Sequence, residues 1–149
     1  LYEINKQIKI FKVKNIIVTS QVHYHKAKIK YKNSNIKIFN NLNIIKNIFK
    51  KKIDYTMCAI SGLEGLQPTL DSIKYSKRIA IANKESIICA WNIINKHLKK
   101  YKTEFIPVDS EHFSIWSLIK NNKENINKIY ITASGGPFLN LPIKKFKKI

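Results

Sequence analysis

Four short stretches of this chain carry side chains whose types and spacing could do chemistry. Asp109-Ser110-Glu111 sets two carboxylates two residues apart. At a turn both can aim at one point and give a hard cation such as Mg²⁺ or Mn²⁺ some of its oxygen ligands, with water or substrate filling the rest. The same tripeptide also suits a helix start, with Asp109 or Ser110 as N-cap and Glu111 in the first turn. A second carboxylate is surplus to capping, which keeps the metal reading open. Asn83-Lys84-Glu85-Ser86 offers a lysine for an anionic substrate group, and an Asn and a Glu that could hydrogen-bond a cofactor amide or ribose. Its plain alternative is again a cap, with Asn83 as N-cap. Ser134-Gly135-Gly136 combines a hydroxyl with backbone N–H groups that can approach a phosphate closely, since glycine leaves the backbone bare. A simple turn before Pro137 is the other reading. Ser61-Gly62 is the fourth stretch.

Each stretch follows an apolar, strand-like run. Ile16–Thr19, Ile36–Phe39, Tyr55–Ile60, Arg78–Ala82, Glu104–Val108 and Lys128–Thr132 read as short strands, those at Tyr55–Ile60 and Arg78–Ala82 as buried ones. Between them, Leu42–Lys52, Pro68–Lys77, about Glu85–Tyr101 and Ser110–Ile119 read as helices. In the third, Ile87, Ile88, Trp91, Ile94, Leu98 and Tyr101 are expected on one face, with Lys99 and Lys100 favourably placed in the last turn. Such alternation predicts an α/β fold: a parallel sheet with helices on its faces, and ligands beyond the carboxyl ends of its strands. All four chemistry-bearing stretches fall at such ends.

Composition narrows the function classes. The chain has 149 residues, with 28 Lys+Arg against 9 Asp+Glu and a formal charge of +19. That balance invites a nucleic-acid partner. Yet Arg78 is the lone arginine, the lysines are dispersed, and Lys, Ile and Asn make up close to half of all residues. A lysine-rich solvated surface is the better explanation, so no nucleic-acid partner is expected. No apolar run approaches the roughly 18 residues needed to cross a bilayer, so no membrane partner is expected either. Cys58 and Cys89 read as small core residues in a reducing compartment, without a CxxC pair or a Cys–His nucleophile. His23-Tyr24-His25 would present two imidazoles on one side if extended; without a third ligand it reads as a surface segment. The chain opens at Leu1 with no signal-peptide pattern, which suggests an internal piece of a longer polypeptide.

Taken in order, Ala59–Leu70, Ala82-Asn83-Lys84-Glu85-Ser86, Pro107-Val108-Asp109-Ser110-Glu111-His112 and Thr132-Ala133-Ser134-Gly135-Gly136-Pro137-Phe138 resemble the signature blocks of the 1-deoxy-D-xylulose 5-phosphate reductoisomerase family. The resemblance is dense from about Tyr55 to Pro142 and thin before it. It implies a Rossmann-like NADPH domain over residues 1–106, lacking its N-terminal portion, and the start of a catalytic, metal-binding domain over 107–149. It implies a phosphorylated sugar substrate, rearranged and reduced to 2-C-methyl-D-erythritol 4-phosphate with NADPH and Mg²⁺ or Mn²⁺. Carried over by position, Lys84 and Glu111 are catalytic and, with Ser110 and Ser134, touch substrate. Asn83 and Glu85 contact NADPH, while Asp109 and Glu111 bind the metal. It further implies a homodimer when full length, in a bacterial cytoplasm or a plastid-type organelle. The family's glycine-rich phosphate turn, third metal carboxylate and lid are missing from these residues, so the expectation is a fragment inactive alone. The rivals are another nicotinamide-dependent oxidoreductase on a Rossmann sheet and a basic nucleic-acid-binding module.

Overall fold

A computed structural model describes residues 2–120, 126–131, 140, 142 and 145. The chain divides into two compact units, Leu1–Ile106 and Pro107–Ile149. Mixed α/β structure with parallel strands fills the first, in agreement with the fold class expected from the sequence. Helix α1 (Tyr2–Phe11) leads to strand β1 (Asn15–Ile17), helix α2 (Gln21–Lys30) and strand β2 (Lys37–Phe39). A 3₁₀ turn at Leu42–Ile44 and the short α3 (Ile45–Ile48) precede β3 (Ile53–Cys58). Next come α4 (Leu66–Ile73), β4 (Ser76–Ile81), α5 (Lys84–Tyr101) and β5 (Glu104–Pro107). In the second unit, α6 runs over Ser110–Ile119.

The described strands form two sheets. β1 pairs in parallel with β2, and a second sheet has the order β3-β4-β5. β3 and β4 are parallel, in a register that sets Tyr55 opposite Arg78 and Cys58 opposite Ile81. Parallel neighbours need a crossover between them, and α4 supplies it. The core forms where α4 and α5 lie on this sheet: Ile73, Ile79, Ile81 and Ile94 are fully buried, joined by Leu98 and Cys58, with Leu66, Leu70 and Phe105 packed against them. Burying the thiol of Cys58 pushes its pKa up. The buried Thr103 hydroxyl lies within hydrogen-bonding distance of the carbonyls of Ile73 (2.8 Å) and Ser76 (2.9 Å) and shares its one proton between them, which ties the start of β5 to α4 and β4.

Several expectations need correction. The buried face of α5 is Ser86, Ala90, Ile94 and Leu98, while Ile88 is 79% exposed and Trp91 39%. The mismatch follows from helical periodicity: the buried residues recur every four positions, whereas Ile88, six residues before Ile94, lies about 120° away around the helix; Ala90 also leaves helical geometry (φ −136°, ψ 24°). Cys89, read as a core residue, is exposed. β3 is not buried along its length; Tyr55 and Met57 stay about half exposed, because among the described residues β3 is an edge strand paired with β4 alone. A cleft of about 490 Å³, lined by Ile17, Phe49, Tyr55 and Met57 among others, lies alongside it. The helix expected over Leu42–Lys52 stops at Ile48, before the run Lys50–Lys52. His23 and His25 lie in α2, not in an extended segment, so two-residue spacing points their rings to different sides of a helix. Residues 128–131 contain no strand, and Thr132 lies outside the described residues.

The reassigned α5 face has a direct test. Ile94→Ala should cost roughly 2–5 kcal/mol of stability through the cavity it leaves. Ile88→Ala, on the exposed side, should change stability by no more than about 0.5 kcal/mol. Chemical denaturation of the two variants measures both, and equal losses would restore the uninterrupted stripe.

Candidate functional site

The candidate residues divide between the two units. In the first, β4 ends at Ile81 and the chain turns into α5 through Asn83. Asn83 is 3% exposed and caps the helix: its side-chain oxygen accepts the backbone N–H of Ser86 at 2.6 Å. Its amide nitrogen reaches the other way and donates to the carbonyls of Ile60 and Gly62, the latter at 2.7 Å. The Ser61-Gly62 turn after β3 and the Asn83-Lys84-Glu85 turn after β4 are therefore brought together, as neighbouring parallel strands require. Lys84 and Glu85 occupy the first turn of α5 with exposed side chains. Glu85 has the sign that the positive end of a helix favours, whereas Lys84 has the opposite one. A lysine there is not explained by the helix dipole, which makes its chemistry a reason to look at it. Ser86 is fully buried, and its hydroxyl finds no partner among the described residues.

In the second unit, Asp109 is the N-cap of α6, buried to 8% exposure. Its Oδ1 accepts the backbone N–H of His112 at 3.1 Å and lies 2.7 Å from His112 Nδ1. Facing a carboxylate, that ring nitrogen is assigned the proton and donates. The capping alternative thus describes where Asp109 sits, but its carboxylate also has an imidazole fixing its orientation. Three-residue spacing places Asp109 and His112 on one side of the first turn, a signal present in the sequence that did not single out His112. Ser110 and Glu111 are exposed beside it, and Ser110 Oγ donates to Glu111 Oε2 at 3.1 Å. Both open onto a cleft of about 270 Å³ that Tyr130 and Ile131 also line. Ser134 lies outside the described residues.

As a donor set, Asp109 and Glu111 offer hard carboxylate oxygens on a single helical turn, which suits Mg²⁺ or Mn²⁺ rather than a soft metal. Among the described residues no group of three or more His, Cys, Asp and Glu side chains could hold a metal. The pair is a partial set. At the other turn, an exposed lysine and carboxylate at a helix N-terminus fit polar and anionic parts of a nucleotide or sugar phosphate. No helix among the described residues is long and apolar enough to cross a membrane.

Comparison with known proteins adds a second, independent line. Residues 1–91 match the family described as 1-deoxy-D-xylulose 5-phosphate reductoisomerase, and residues 105–149 match that enzyme's C-terminal domain. The 1-deoxy-D-xylulose 5-phosphate reductoisomerase of Pelagibacter ubique is 63% identical over 147 residues, which cover 97% of this chain and 38% of that protein. Among solved structures, the Zymomonas mobilis reductoisomerase in complex with NADPH superposes with a TM-score of 0.79 at 30% identity, over 94% of this chain and 37% of that one. A reductoisomerase in complex with NADPH, fosmidomycin and magnesium gives 0.71 at 28% identity, over 97% and 38%. The chain therefore spans well under half the length of the relatives it matches.

Ser86 separates motif from stability. Removing a buried hydroxyl that has no partner relieves a desolvation cost of about 1–3 kcal/mol. Ser86→Ala should leave the melting temperature unchanged or raise it, and a clear drop in a thermal melt would show that the hydroxyl holds a bond.

Proposed function

The chain belongs to the 1-deoxy-D-xylulose 5-phosphate reductoisomerase family, and we propose that it is the segment of such an enzyme that joins the cofactor region to the metal site. The reaction converts 1-deoxy-D-xylulose 5-phosphate, NADPH and a proton into 2-C-methyl-D-erythritol 4-phosphate and NADP⁺. The observation that carries this reading is 63% identity along 97% of the chain to a reductoisomerase. The candidate residues fall at strand-to-helix turns, where an α/β fold binds ligands. In this reading residues 1–106 contribute to holding NADPH, and residues 107–149 begin the catalytic unit.

The roles follow from chemistry and position. Asp109 and Glu111 supply oxygen ligands to Mg²⁺ or Mn²⁺, with His112 holding Asp109 in orientation. The bound cation supplies Lewis acidity to the substrate's ketone and hydroxyl oxygens, and NADPH supplies the hydride. Lys84 brings a positive charge to the anionic substrate. Glu85 hydrogen-bonds the cofactor at the positive end of α5. Ser110 and Glu111, which share a cleft and a hydrogen bond, position substrate hydroxyls and hold or release their protons. Ser134 is proposed to add a further hydroxyl to the substrate. With a bacterial relative so similar, the bacterial cytoplasm is the compartment this reading favours.

The test uses the complete polypeptide that carries these residues. NADPH oxidation at 340 nm should require both the sugar phosphate and a divalent cation, and a chelator should abolish it. Turnover that survives chelation would point instead to an ordinary nicotinamide-dependent dehydrogenase. Asp109→Asn keeps the side chain's shape and its capping oxygen but removes a charge from the metal's ligands. Its activity should fall roughly a hundredfold, the scale for losing one electrostatic stabiliser, and recover in part at high Mn²⁺. Full activity in that variant would leave Asp109 as a helix cap alone.

A further inference from the structure

We propose that the cleft between α3, the end of α4 and the second half of α5 is a further ligand site, which takes a small phosphomonoester that carries hydroxyl groups. Its volume is about 240 Å³. That is below the roughly 300–1,000 Å³ of drug-sized pockets, so a ligand of a few carbons fits it best. Three nitrogen bases line the cleft, one from each element: Lys46 on α3, Lys74 at the C-terminal cap of α4 and His97 on α5. Far apart in sequence, they come together only through the fold. Neither lysine has a carboxylate partner among the described residues. The carboxylate of the cleft, Asp71, instead accepts a hydrogen bond from Gln67 Nε2 at 2.9 Å. The negative end of α4 gives Lys74 a structural reason. It gives none for Lys46 and His97 to line the same cleft.

The lining selects the ligand class. Two ammonium groups in a concave wall favour a dianion and donate charge-assisted hydrogen bonds to phosphate oxygens. His97 Nδ1 lies 2.9 Å from the Ile93 carbonyl; facing an acceptor, it is assigned the proton. Nε2 is then the ring nitrogen left for a ligand, accepting from a hydroxyl when the ring is neutral and donating to phosphate when it is charged. The second carboxylate oxygen of Asp71 and the carbonyl oxygen of Gln67 are acceptors, which serve hydroxyl groups and not an anion. Leu70 and Tyr101, both packed against the core, give a short carbon chain an apolar surface. At about 1.5 Å of rise per residue, His97 lies roughly 20 Å along α5 from Lys84, so this cleft is separate from the turn after β4.

Glycerol 3-phosphate is the probe, added to the complete polypeptide labelled at histidine for NMR. The His97 ring signal is identified by its loss in His97→Gln. The probe should shift that signal saturably, with a Kd on the order of 1 mM. Lys46→Ala and Lys74→Ala should each weaken binding about tenfold, the scale of one charge-assisted hydrogen bond. Both lysines are exposed, so these variants should melt with the wild type. Inorganic phosphate, which lacks the hydroxyl-bearing chain, should bind at least about threefold more weakly, and glycerol should leave the signal in place. Lys84→Ala, at the far end of α5, should keep the Kd of the wild type. An unmoved His97 signal overturns the proposal, as does undiminished binding in both Lys46→Ala and Lys74→Ala. Equal affinity for inorganic phosphate overturns the ligand class. Weaker binding in Lys84→Ala would place the probe at the turn after β4 and overturn the separate site. The readout is binding rather than turnover, so its outcome is independent of the function proposed above.

Discussion

Parallel pairing of β3 with β4 in one register is the constraint from which the first unit follows. With Cys58 opposite Ile81, the two strands end on the same edge of the sheet, and each hands over there to a helix. The crossover helix α4 must then lie on one face, where Ile73 meets Ile79, Ile81 and Ile94 in a core that excludes water. Nothing about the polar turns is free after that. The loop leaving β3 and the loop leaving β4 must meet, and their backbone carbonyls must find donors. Asn83 is the group that supplies them, because one short side chain can accept from a helix start and donate to a neighbouring loop at once.

The same economy explains why capping and chemistry were so hard to separate from residue types. Asn83 and Asp109 are both N-caps, with their side-chain oxygens on the N–H of Ser86 and of His112. Capping is therefore a true description of both. What differs is the remainder of each side chain. The amide of Asn83 turns back into the fold, whereas the carboxylate of Asp109 takes a second partner in the His112 ring, beside Ser110 and Glu111 at a cleft. One residue builds a turn and the other is placed where an ion could use it.

Much of this was legible before any coordinates. The β4 core run Ile79-Ala80-Ile81, the long helix from Lys84 to Tyr101 and the helix that starts at Ser110 follow from short apolar runs and capping residues. Other features depend on neighbours, which residue types do not encode. Tyr55 and Met57 have the composition of an inner strand and lie on an edge. Ile88 and Cys89 are apolar yet lie off the face that Ser86, Ala90, Ile94 and Leu98 bury. In α2, which buries Ala27, the periodic signal is weak, whereas α1 is amphipathic in sequence yet buries none of its residues. At the candidate site, the residue types were readable, but the direction of the Asn83 amide and the His112–Asp109 contact required the fold.

Lys84 remains the residue that stability arguments explain least. A cation in the first turn opposes the helix dipole, at a cost on the order of a few tenths of a kcal/mol, whereas Lys99 and Lys100 at the other end of α5 reinforce it. An Asn cap contributes about 1 kcal/mol in the stabilising direction, enough to offset that cost. The cap therefore lets the helix start tolerate a positive side chain added to its own positive end. Two positive potentials then coincide at one exposed turn beside a glycine-bearing loop. This is the arrangement that an anionic ligand needs and that an isolated helix would not adopt on its own account.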